Sequence, residues 1–322
     1  MQAIEISQHG GPDVLQVVDR DLQAAAGQLL VEVAAAGVNY IDTYQRRGIY
    51  PVQLPFYPGS EGAGRVVAVG DGVSDFAAGD RVAWAAGSGG YAEQAVVSAE
   101  SAVRIPDGVD ETTAAAVMLQ GLTAHYLAAS TFPISPGDTA LVHAGAGGVG
   151  LLLTQIIKIR GGTAYTTVST EEKAELSRGA GADEVILYTQ TDFTDEVQRL
   201  TGGRGVDVVY DGVGETTFDG SLESLRPRGM LVLFGASSGA VPPVDPQRLN
   251  RGGSLFLTRP TLAHYTLTRA ELEERTNELL GWVADGKLDV RIGGTYPLAK
   301  AARAHSDLQG RLTTGKLLII PR

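Results

Sequence analysis

The chain has 322 residues, 43% hydrophobic and 20% charged, a composition typical of a globular protein with about two domains. A net charge of −11 and a pI of about 4.9 argue against nucleic-acid or membrane partners, because most of the surface would repel phosphate groups. The absence of cysteine excludes disulfides, a thiol nucleophile and thiolate-bound zinc. Together with an N-terminus that lacks a signal-peptide pattern, it predicts a cytoplasmic protein.

The first third of the chain is predicted to be mostly β. Up to about Gly121, short β-prone runs alternate with turns rich in Gly, Pro and Asp, which is typical of a barrel or sandwich. The runs are "QAIEIS", "LQVVD", "QLLVEVAAAG", "GRVVAVG", "DRVAWAA", "GYAEQAVVS" and "AVRIP". A helix is predicted from near Asp110, in the alanine-rich segment "VDETTAAAVMLQGLTAHYLAAS".

From Thr139 onwards the chain alternates strands with helices. Six apolar runs predict strands: "TALVHA", "GTAYTTVS", "DEVILY", "GVDVVYDGV", "GMLVLFG" and "SLFLT". The first four gaps between these strands hold helical patterns. This alternation predicts an α/β fold with a doubly wound parallel sheet. After Thr258 we predict one amphipathic helix, from about Thr268 to Asp285, and a last strand in "KLLIIPR" that packs back on the first domain.

The first strand of this sheet leads into a glycine-dense turn. Gly145, Gly147 and Gly150 match G-x-G-x-x-G between a strand and a helix, the context in which this pattern predicts a dinucleotide site. The first glycine is expected to permit the tight turn and the second to let a pyrophosphate approach the backbone. The third is expected to let helix and strand pack closely. A structural turn is the alternative.

The end of the second strand indicates which dinucleotide binds. NAD-binding versions carry an acidic residue there, whereas this chain has Ser169 and Thr170, with Lys173 one helix turn later. A hydroxyl and a cation suit a 2′-phosphate, so the spacing favours NADP. Ser169 also fits a helix N-cap in a capping box with Glu172, and an alternative is that Glu171 or Glu172 reaches the ribose instead.

Two further glycine turns end later strands. "YDGVG" ends the fourth strand and "FGASSG" the fifth, at the edge where ligands of such sheets bind. We therefore expect Phe234 to Ser238 near the nicotinamide end of a cofactor. Ordinary strand-to-loop connections are the alternative for both turns.

The remaining chemistry is concentrated in one segment, "GVNYIDTYQRRGIYPVQLPFYPGSEGAG". Its tyrosines and polar side chains suit an apolar slot for a flat conjugated acceptor, with hydrogen-bond donors for the acceptor oxygens. Core or surface packing is the alternative for any single ring. The five histidines are scattered without metal-ligand spacing, so no metal is predicted.

Nine segments, in order along the chain, carry a family resemblance. They are "GVNYIDTYQRRGIYP", "PGSEGAGRVVAVG", "AGDRVAW", "GLTAHYL", "HAGAGGVG", "YDGVGETTFDGSL", "LVLFGASSGAV", "TRPTLAHY" and "GRLTTGKLLIIP". In these segments the chain resembles the zinc-independent, zeta-crystallin-like quinone oxidoreductases of the medium-chain dehydrogenase/reductase superfamily. The resemblance implies a Rossmann doubly wound domain, residues 123–257, inserted in a GroES-like mostly-β catalytic domain of residues 1–122 and 258–322. It also implies NADPH as cofactor, no zinc, and a homodimer joined by edge strands of the two Rossmann sheets.

The resemblance also implies roles for individual residues. The pyrophosphate would be held by backbone contacts of Ala146, Gly147, Gly148 and Val149. The 2′-phosphate would be surrounded by Ser169, Lys173, Tyr188 and Arg311. The nicotinamide and acceptor pocket would be lined by Asn39, Tyr44, Tyr50 and Thr123, and the opposite wall by Phe234, Ser237 and Ser238. Relatives often carry lysine before "GLTA", where this chain has Gln120, which implies the loss of a cation there.

Three functions remain open at this point. The leading one is NADPH-dependent reduction of a quinone in a cleft between the domains, with Tyr50 and Asn39 hydrogen-bonded to the acceptor oxygen. The second is reduction of activated C=C bonds in enones or enoyl thioesters, for which Arg46 and Arg47 would form a small phosphate-binding patch. The third is an NADPH-binding structural protein with little turnover.

Overall fold

Residues 1–322 are described by a computed structural model, in which the chain divides into two units. Unit 1 contains Met1–Leu122 and Thr266–Arg322, and unit 2 contains Thr123–Tyr265. The second division falls after Tyr265, a few residues beyond the boundary expected at residue 257. None of the helices combines the length and apolar character needed to cross a bilayer.

The first part of unit 1 contains every strand predicted there. The elements are β1 (Gln2–Glu5), β2 (Gln16–Asp19), β3 (Gln28–Val38), α1 (Tyr40–Arg46), β4 (Gly62–Val69), β5 (Arg81–Trp84), β6 (Gln94–Ser98), β7 (Val103–Arg104) and α2 (Glu111–Tyr126). Helix α1 was not predicted, because its seven residues are too few to show a helical apolar period. It lies inside the segment rich in tyrosines.

Unit 2 contains the predicted alternation of strands and helices. Its elements are β8 (Thr139–Val142), α3 (Gly148–Ile159), β9 (Thr163–Val168), α4 (Glu171–Gly179), β10 (Glu184–Leu187), α5 (Phe193–Leu200), β11 (Val206–Asp211), α6 (Phe218–Glu223), β12 (Leu225–Leu233), α7 (Gln247–Arg251) and β13 (Phe256–Thr258). The sheet is parallel throughout, in the order β10-β9-β8-β11-β12-β13. This order reverses between β8 and β11, as in a Rossmann fold, so ligands are expected at the carboxyl ends of these strands.

The C-terminal part returns to unit 1 with α8 (Arg269–Ala284), β14 (Ile292–Pro297), α9 (Ala301–Gln309) and β15 (Lys316–Ile320). Helix α8 matches the prediction, and Thr268 caps it in a capping box with Glu271. Strand β14 and helix α9 were not predicted. The segment "IGGTYP" of β14 has two adjacent glycines, which disfavour a strand when the sequence is considered alone.

The main sheet of unit 1 joins the two ends of the chain. Its order is β14-β15-β3-β4-β5-β7, and β6 also pairs with β3. Strand β3 is antiparallel to both neighbours, with Val38 opposite Leu317 and Ala36 opposite Gly62. The end of β3 therefore lies beside the beginnings of β4 and β15, which brings distant polar residues to one place.

Candidate functional site

In the glycine turn after β8, neighbouring atoms leave no room for a side chain at two of the three glycines of the motif. A Cβ on Gly145 would lie 2.6 Å from Cβ of Thr166, and one on Gly150 would lie 2.3 Å from the carbonyl oxygen of Ala144. The residue with positive φ is Ala144, at 55°, so Gly145 permits the turn because it lacks a side chain and not because of a left-handed backbone conformation. Gly145 is needed because the turn passes directly against β9.

Gly147 has a different surrounding. It is the N-cap of α3, and a Cβ there would contact only Ala144, whose oxygen lies 3.2 Å away. The first N–H groups of α3, on Gly148 and Val149, have no acceptor within the helix, and the positive end of the helix dipole lies beside them. Buried Ala146 completes the turn. These residues fit the pyrophosphate of a dinucleotide.

The end of β9 corrects one detail of the prediction. Thr170, and not Ser169, is the N-cap of α4, because its hydroxyl accepts the N–H of Lys173 at 3.3 Å. Glu171 is paired with Arg178 at 2.6 Å, so its carboxylate is directed along α4. Ser169 therefore does not cap the helix, and the first acidic residue after β9 is already in an ion pair.

Strand β10 brings Tyr188 beside this position. Strands β9 and β10 are adjacent and parallel, and the Tyr188 N–H donates to Val168 O at 3.2 Å. The Thr189 hydroxyl donates to Ser169 O at 3.0 Å, and the Tyr188 side chain is 45% exposed. Unit 2 thus brings together Ser169, Tyr188 and the first turn of α4 with Lys173. Arg311 belongs to unit 1, so its role at a 2′-phosphate remains a prediction.

The turns after β11 and β12 are joined along one edge of the sheet. Gly214 and Gly239 form a parallel bridge, and the Ser238 hydroxyl donates to Val213 O at 2.8 Å. The Ser237 N–H donates to Gly212 O at 3.2 Å. The ring of Phe234 packs so closely on Gly212 that a Cβ there would lie 2.8 Å from it. The fold therefore brings the three predicted residues of this wall together at the carboxyl ends of two strands.

Asp211, the acidic residue of "YDGVG", holds this turn and was not predicted as a site residue. Its buried carboxylate accepts the N–H groups of Val213 at 2.8 Å and Gly214 at 2.9 Å. It also accepts the hydroxyls of Thr217 and Ser221, each at 2.8 Å. The signal was present in the sequence, since an aspartate directly after an apolar strand needs donors nearby.

His143 extends this network across the sheet. Its Nε2 lies 3.0 Å from Ser221 Oγ and its Nδ1 lies 2.8 Å from Thr167 Oγ1. The Ser221 proton is donated to Asp211, so Nε2 of His143 is the donor and Nδ1 the acceptor. Burial lowers the pKa of His143, although Asp211 opposes the shift, and the imidazole is neutral. Through Ser221, His143 thus supports Asp211, which holds the turn after β11.

In unit 1 the tyrosines form an aromatic cluster on and after α1. The ring centroids of Tyr40 and Tyr44 are 6.2 Å apart, and those of Tyr44 and Tyr50 are 5.3 Å apart. The Tyr50 N–H donates to Tyr44 O at 3.3 Å, which folds the chain back over the helix end. The Tyr50 side chain is 39% exposed and its hydroxyl has no hydrogen-bond partner within the chain. The two rings are inclined at 55° to one another, so the pair offers an angled aromatic surface with one available donor.

The side chain of Asn39 bonds to other residues of unit 1, whereas the prediction was a hydrogen bond to the acceptor. This side chain is buried, Nδ2 donates to Glu61 Oε1 at 2.6 Å, and Oδ1 accepts Lys316 Nζ at 2.8 Å and Gln120 Nε2 at 3.3 Å. These contacts occupy the amide within unit 1, so the expected hydrogen bond from Asn39 to a substrate oxygen is not supported. Asn39 instead fixes the start of α1. A cation nevertheless lies beside Gln120, because Lys316 contacts the same Asn39 oxygen; Lys316 was not among the predicted site residues.

Arg46 is also buried, which removes the predicted two-arginine patch. Its guanidinium contacts His305 Nδ1 at 3.0 Å and Gln309 Oε1 at 2.8 Å, and Nε donates to Gly10 O at 3.2 Å. Only Arg47 of this pair is exposed. Thr123 is partly buried in α2, and its contact with a nicotinamide remains a prediction. No group of three or more His, Asp or Glu side chains is arranged to hold a metal ion.

Comparison with known proteins places the chain in a family. Residues 25–107 match the alcohol dehydrogenase GroES-like domain, and residues 180–319 match a model described as zinc-binding dehydrogenase. A quinone oxidoreductase of Pseudomonas aeruginosa is 45% identical over 99% of both chains. The chain belongs to the quinone oxidoreductase family. The family prediction and its fold, a Rossmann domain inserted in a GroES-like domain, are thereby confirmed.

Solved structures agree with this membership. A mycobacterial protein complexed with NADPH is 52% identical with a TM-score of 0.97, and both chains are covered completely. Escherichia coli quinone oxidoreductase complexed with NADPH is 44% identical with a TM-score of 0.98, again over the full length of both chains. A 2-haloacrylate reductase of a Burkholderia species is 39% identical over 100% of this chain and 99% of its own.

Proposed function

We propose that this chain is an NADPH-dependent quinone reductase. The quinone part of the proposal rests on the full-length similarity to quinone oxidoreductases. The cofactor part rests on the end of β9, where a hydroxyl and a lysine stand in place of an acidic residue and the nearest glutamate is paired with Arg178. This arrangement suits a 2′-phosphate. The family and the NADPH complexes of two close relatives support the same cofactor.

The chain's own residues would bind the cofactor and orient the acceptor. Bound NADPH supplies a hydride, or electrons in single steps. The N–H groups of Gly148 and Val149 would hold the pyrophosphate, and Ser169 and Lys173 the 2′-phosphate. The turns held by Asp211 would position the nicotinamide end. Because these contacts are fixed before binding, most of the rate enhancement would come from proximity and orientation.

In unit 1 the Tyr44–Tyr50 pair would receive the quinone. Flat conjugated rings stack on tyrosine with ring centroids about 4.5–7 Å apart, and the exposed ring of Tyr50 would offer such a surface. The Tyr50 hydroxyl, which has no partner in the chain, would donate to the quinone oxygen as negative charge develops there. Asn39 is not assigned a contact with the acceptor, because its amide is already occupied.

A second candidate is the reduction of activated C=C bonds. The 2-haloacrylate reductase among the relatives favours it, and the cofactor site would be unchanged. Burial of Arg46 weakens the enoyl-thioester version, since the expected phosphate-binding patch does not form. An NADPH-binding structural protein with little turnover is the third candidate.

Initial rates of NADPH oxidation distinguish these functions. The acceptors are a simple benzoquinone, a polycyclic ortho-quinone, an α,β-unsaturated ketone and 2-chloroacrylate. We expect oxidation with the quinones. Rates with the unsaturated compounds alone would replace the proposal by C=C reduction, and tight NADPH binding without oxidation by any acceptor would favour the structural role.

We also infer a homodimer that forms through the edge of the unit 2 sheet. Strand β13 is an edge strand, and its Phe256 side chain is 56% exposed. An exposed edge with a large apolar side chain is a surface that proteins usually cover. Sedimentation equilibrium of the wild-type chain tests the assembly. The cytoplasmic location remains a prediction from the sequence.

A further inference from the structure

Three buried polar side chains meet where β3 ends and where β4 and β15 begin. Asn39 is 5% exposed, Lys316 1% and Glu61 0%. Glu61 directly precedes β4, and Lys316 is the first residue of β15. We call these three residues, with Gln120 of α2, the Glu61 cluster. No step of the proposed reaction accounts for the two charges.

The contacts within the cluster are specific. Glu61 Oε1 accepts Asn39 Nδ2 at 2.6 Å and also pairs with the Lys316 ammonium, while Glu61 Oε2 accepts the Leu119 N–H at 2.6 Å. Gly37 makes room for the pair, since a Cβ there would lie 2.1 Å from Glu61 Oε1 and 2.6 Å from Lys316 Cε. Backbone, sheet register and side chains all accommodate this one ion pair.

Lys316 is the only cation paired with Glu61. The other ionisable groups that face this region are Asp42 and Tyr91, and neither carries a positive charge. A carboxylate buried without a cation is strongly destabilising, because the desolvation cost is no longer offset. Removing the Lys316 charge would therefore leave a buried carboxylate without a counter-ion and disturb the contacts of the cluster.

The cluster also holds the beginning of α1. The Asn39 N–H donates to Asp42 Oδ2 at 2.9 Å, while its side chain is held by Glu61 and Lys316. Tyr44 and Tyr50 follow on the same helix and its C-terminal turn. We propose that Lys316 is a positioning residue, whose buried ammonium fixes Asn39 and thereby orients the Tyr44–Tyr50 surface toward the acceptor. This inference rests on the proposed quinone site.

Position 120 is a second place from which the cation can be supplied. Gln120 Nε2 reaches the same Asn39 oxygen that Lys316 contacts, at 3.3 Å. Gln120 Oε1 is buried and has no hydrogen-bond partner, so the amide of Gln120 points into the cluster while its own oxygen stays without a donor. A lysine at position 120 would place an ammonium beside Asn39 Oδ1. The proposal therefore requires one cation in the cluster, from either side.

The first experiment compares wild type with Lys316→Met. We expect the quinone KM to rise about fivefold or more while the Kd of NADPH, measured by fluorescence, stays within about twofold. Hydrogen exchange of the peptide covering α1 should become faster. The melting temperature should be lower than that of wild type, because the Glu61 carboxylate is left buried without its cation.

The second experiment tests rescue. Gln120→Lys in the Lys316→Met background should restore the quinone KM, the exchange of α1 and the melting temperature. Gln120→Met in the same background is the matched control and should restore none of them. If Lys316→Met does not fold, the double variant Gln120→Lys/Lys316→Met is measured instead. A folded double variant with wild-type quinone KM and wild-type α1 exchange supports the inference. A double variant that does not fold, or that folds with a raised quinone KM, overturns it.

Two further outcomes overturn the inference. One is a Lys316→Met protein with wild-type quinone KM and wild-type α1 exchange. The other is a lower melting temperature with no change in quinone KM, which would make Lys316 merely structural. The proposed function can fail separately, since exchange and melting report on the cluster even if wild type reduces no quinone.

Discussion

Asn39 and Tyr50 flank the same short helix, yet their side chains are available to different degrees. The Asn39 amide has partners on both its oxygen and its nitrogen, whereas the Tyr50 hydroxyl has none within the chain. A ligand gains little from a group that must first break internal hydrogen bonds. At the scale of single residues, the free hydroxyl is therefore the stronger candidate for contact with the acceptor.

Tyr50→Phe should lower the turnover of quinone while NADPH affinity stays unchanged. The substitution keeps the ring against Tyr44 and removes one hydrogen bond, which corresponds to a loss of about fivefold to tenfold in kcat. Steady-state kinetics with a benzoquinone checks this. Tyr57→Phe, which removes a hydroxyl bonded to Glu5 on the surface, is the control. Unchanged kinetics for Tyr50→Phe would remove Tyr50 from the site.

Lys173→Glu should reverse the preference between the two cofactors. A carboxylate in the first turn of α4 would repel a 2′-phosphate, so we expect NADPH to bind about tenfold to a hundredfold more weakly and NADH to be little affected. Fluorescence titration with each cofactor measures this. Lys287→Glu makes the same charge change in unit 1 and is the control. Equal losses for both cofactors would contradict the assignment of Lys173.

Helix α4 shows how an element's boundary depends on a single side chain. Both Ser169 and Thr170 are good N-cap residues, and the pattern that follows allows a cap at either position. The structure places the cap at Thr170, which leaves Ser169 at the end of β9, beside Tyr188. The shift of one residue places the serine outside the helix, where it is available to a ligand.

Thr170→Ala should therefore destabilise the protein more than Ser169→Ala does. Loss of the N-cap costs about 0.5 to 2 kcal/mol, while a residue outside the helix should change the free energy of unfolding by less than about 0.5 kcal/mol. Urea denaturation of both variants gives the comparison. A larger loss for Ser169→Ala would return the cap to the position predicted from the sequence.

On the largest scale, a chain of buried hydrogen bonds links distant segments of unit 1. Arg46 donates to Nδ1 of His305, so Nε2 of His305 donates to the Tyr91 hydroxyl, which lies 3.1 Å from Asp42 Oδ2. Burial raises the pKa of Asp42 and of Tyr91. Burial, with the charge of Arg46, lowers the pKa of His305 to about 3. The network requires a neutral imidazole.

Stability should consequently fall on acidification in a way that depends on His305. The folded protein keeps this histidine neutral down to about pH 3, whereas the unfolded chain binds a proton near pH 6.5. Its contribution is complete above pH 6.5 and is lost as the pH falls, by about 2 kcal/mol between pH 7 and pH 5. Urea denaturation of wild type and His305→Gln at both pH values measures the difference.

The expected result is that the free energy of unfolding falls more steeply for wild type than for His305→Gln. His9→Gln, at an exposed histidine, should keep the wild-type profile. His143 contributes with the same sign in all three proteins and cancels in the comparison. Parallel profiles for wild type and His305→Gln would show that His305 is not held neutral.

The sequence by itself determined the features that depend on local pattern. All six strands of the Rossmann sheet, the glycine turn and the α8 helix follow from apolar periodicity and from residues adjacent in the chain. The family followed from segments that stay in order from one end to the other. Such signals are readable because neighbouring residues supply both the pattern and its structural consequence.

Only the tertiary structure decided which polar groups face one another. Nothing near Lys316 in the sequence indicates that its ammonium meets Glu61 and Asn39, because the contact depends on the pairing of β15 with β3. Burial of Arg46 likewise depends on α9, which was not predicted. Hydrogen bonds and ion pairs between distant segments are fixed by the register of the sheet, so the availability of each predicted site residue was settled by packing rather than by its type.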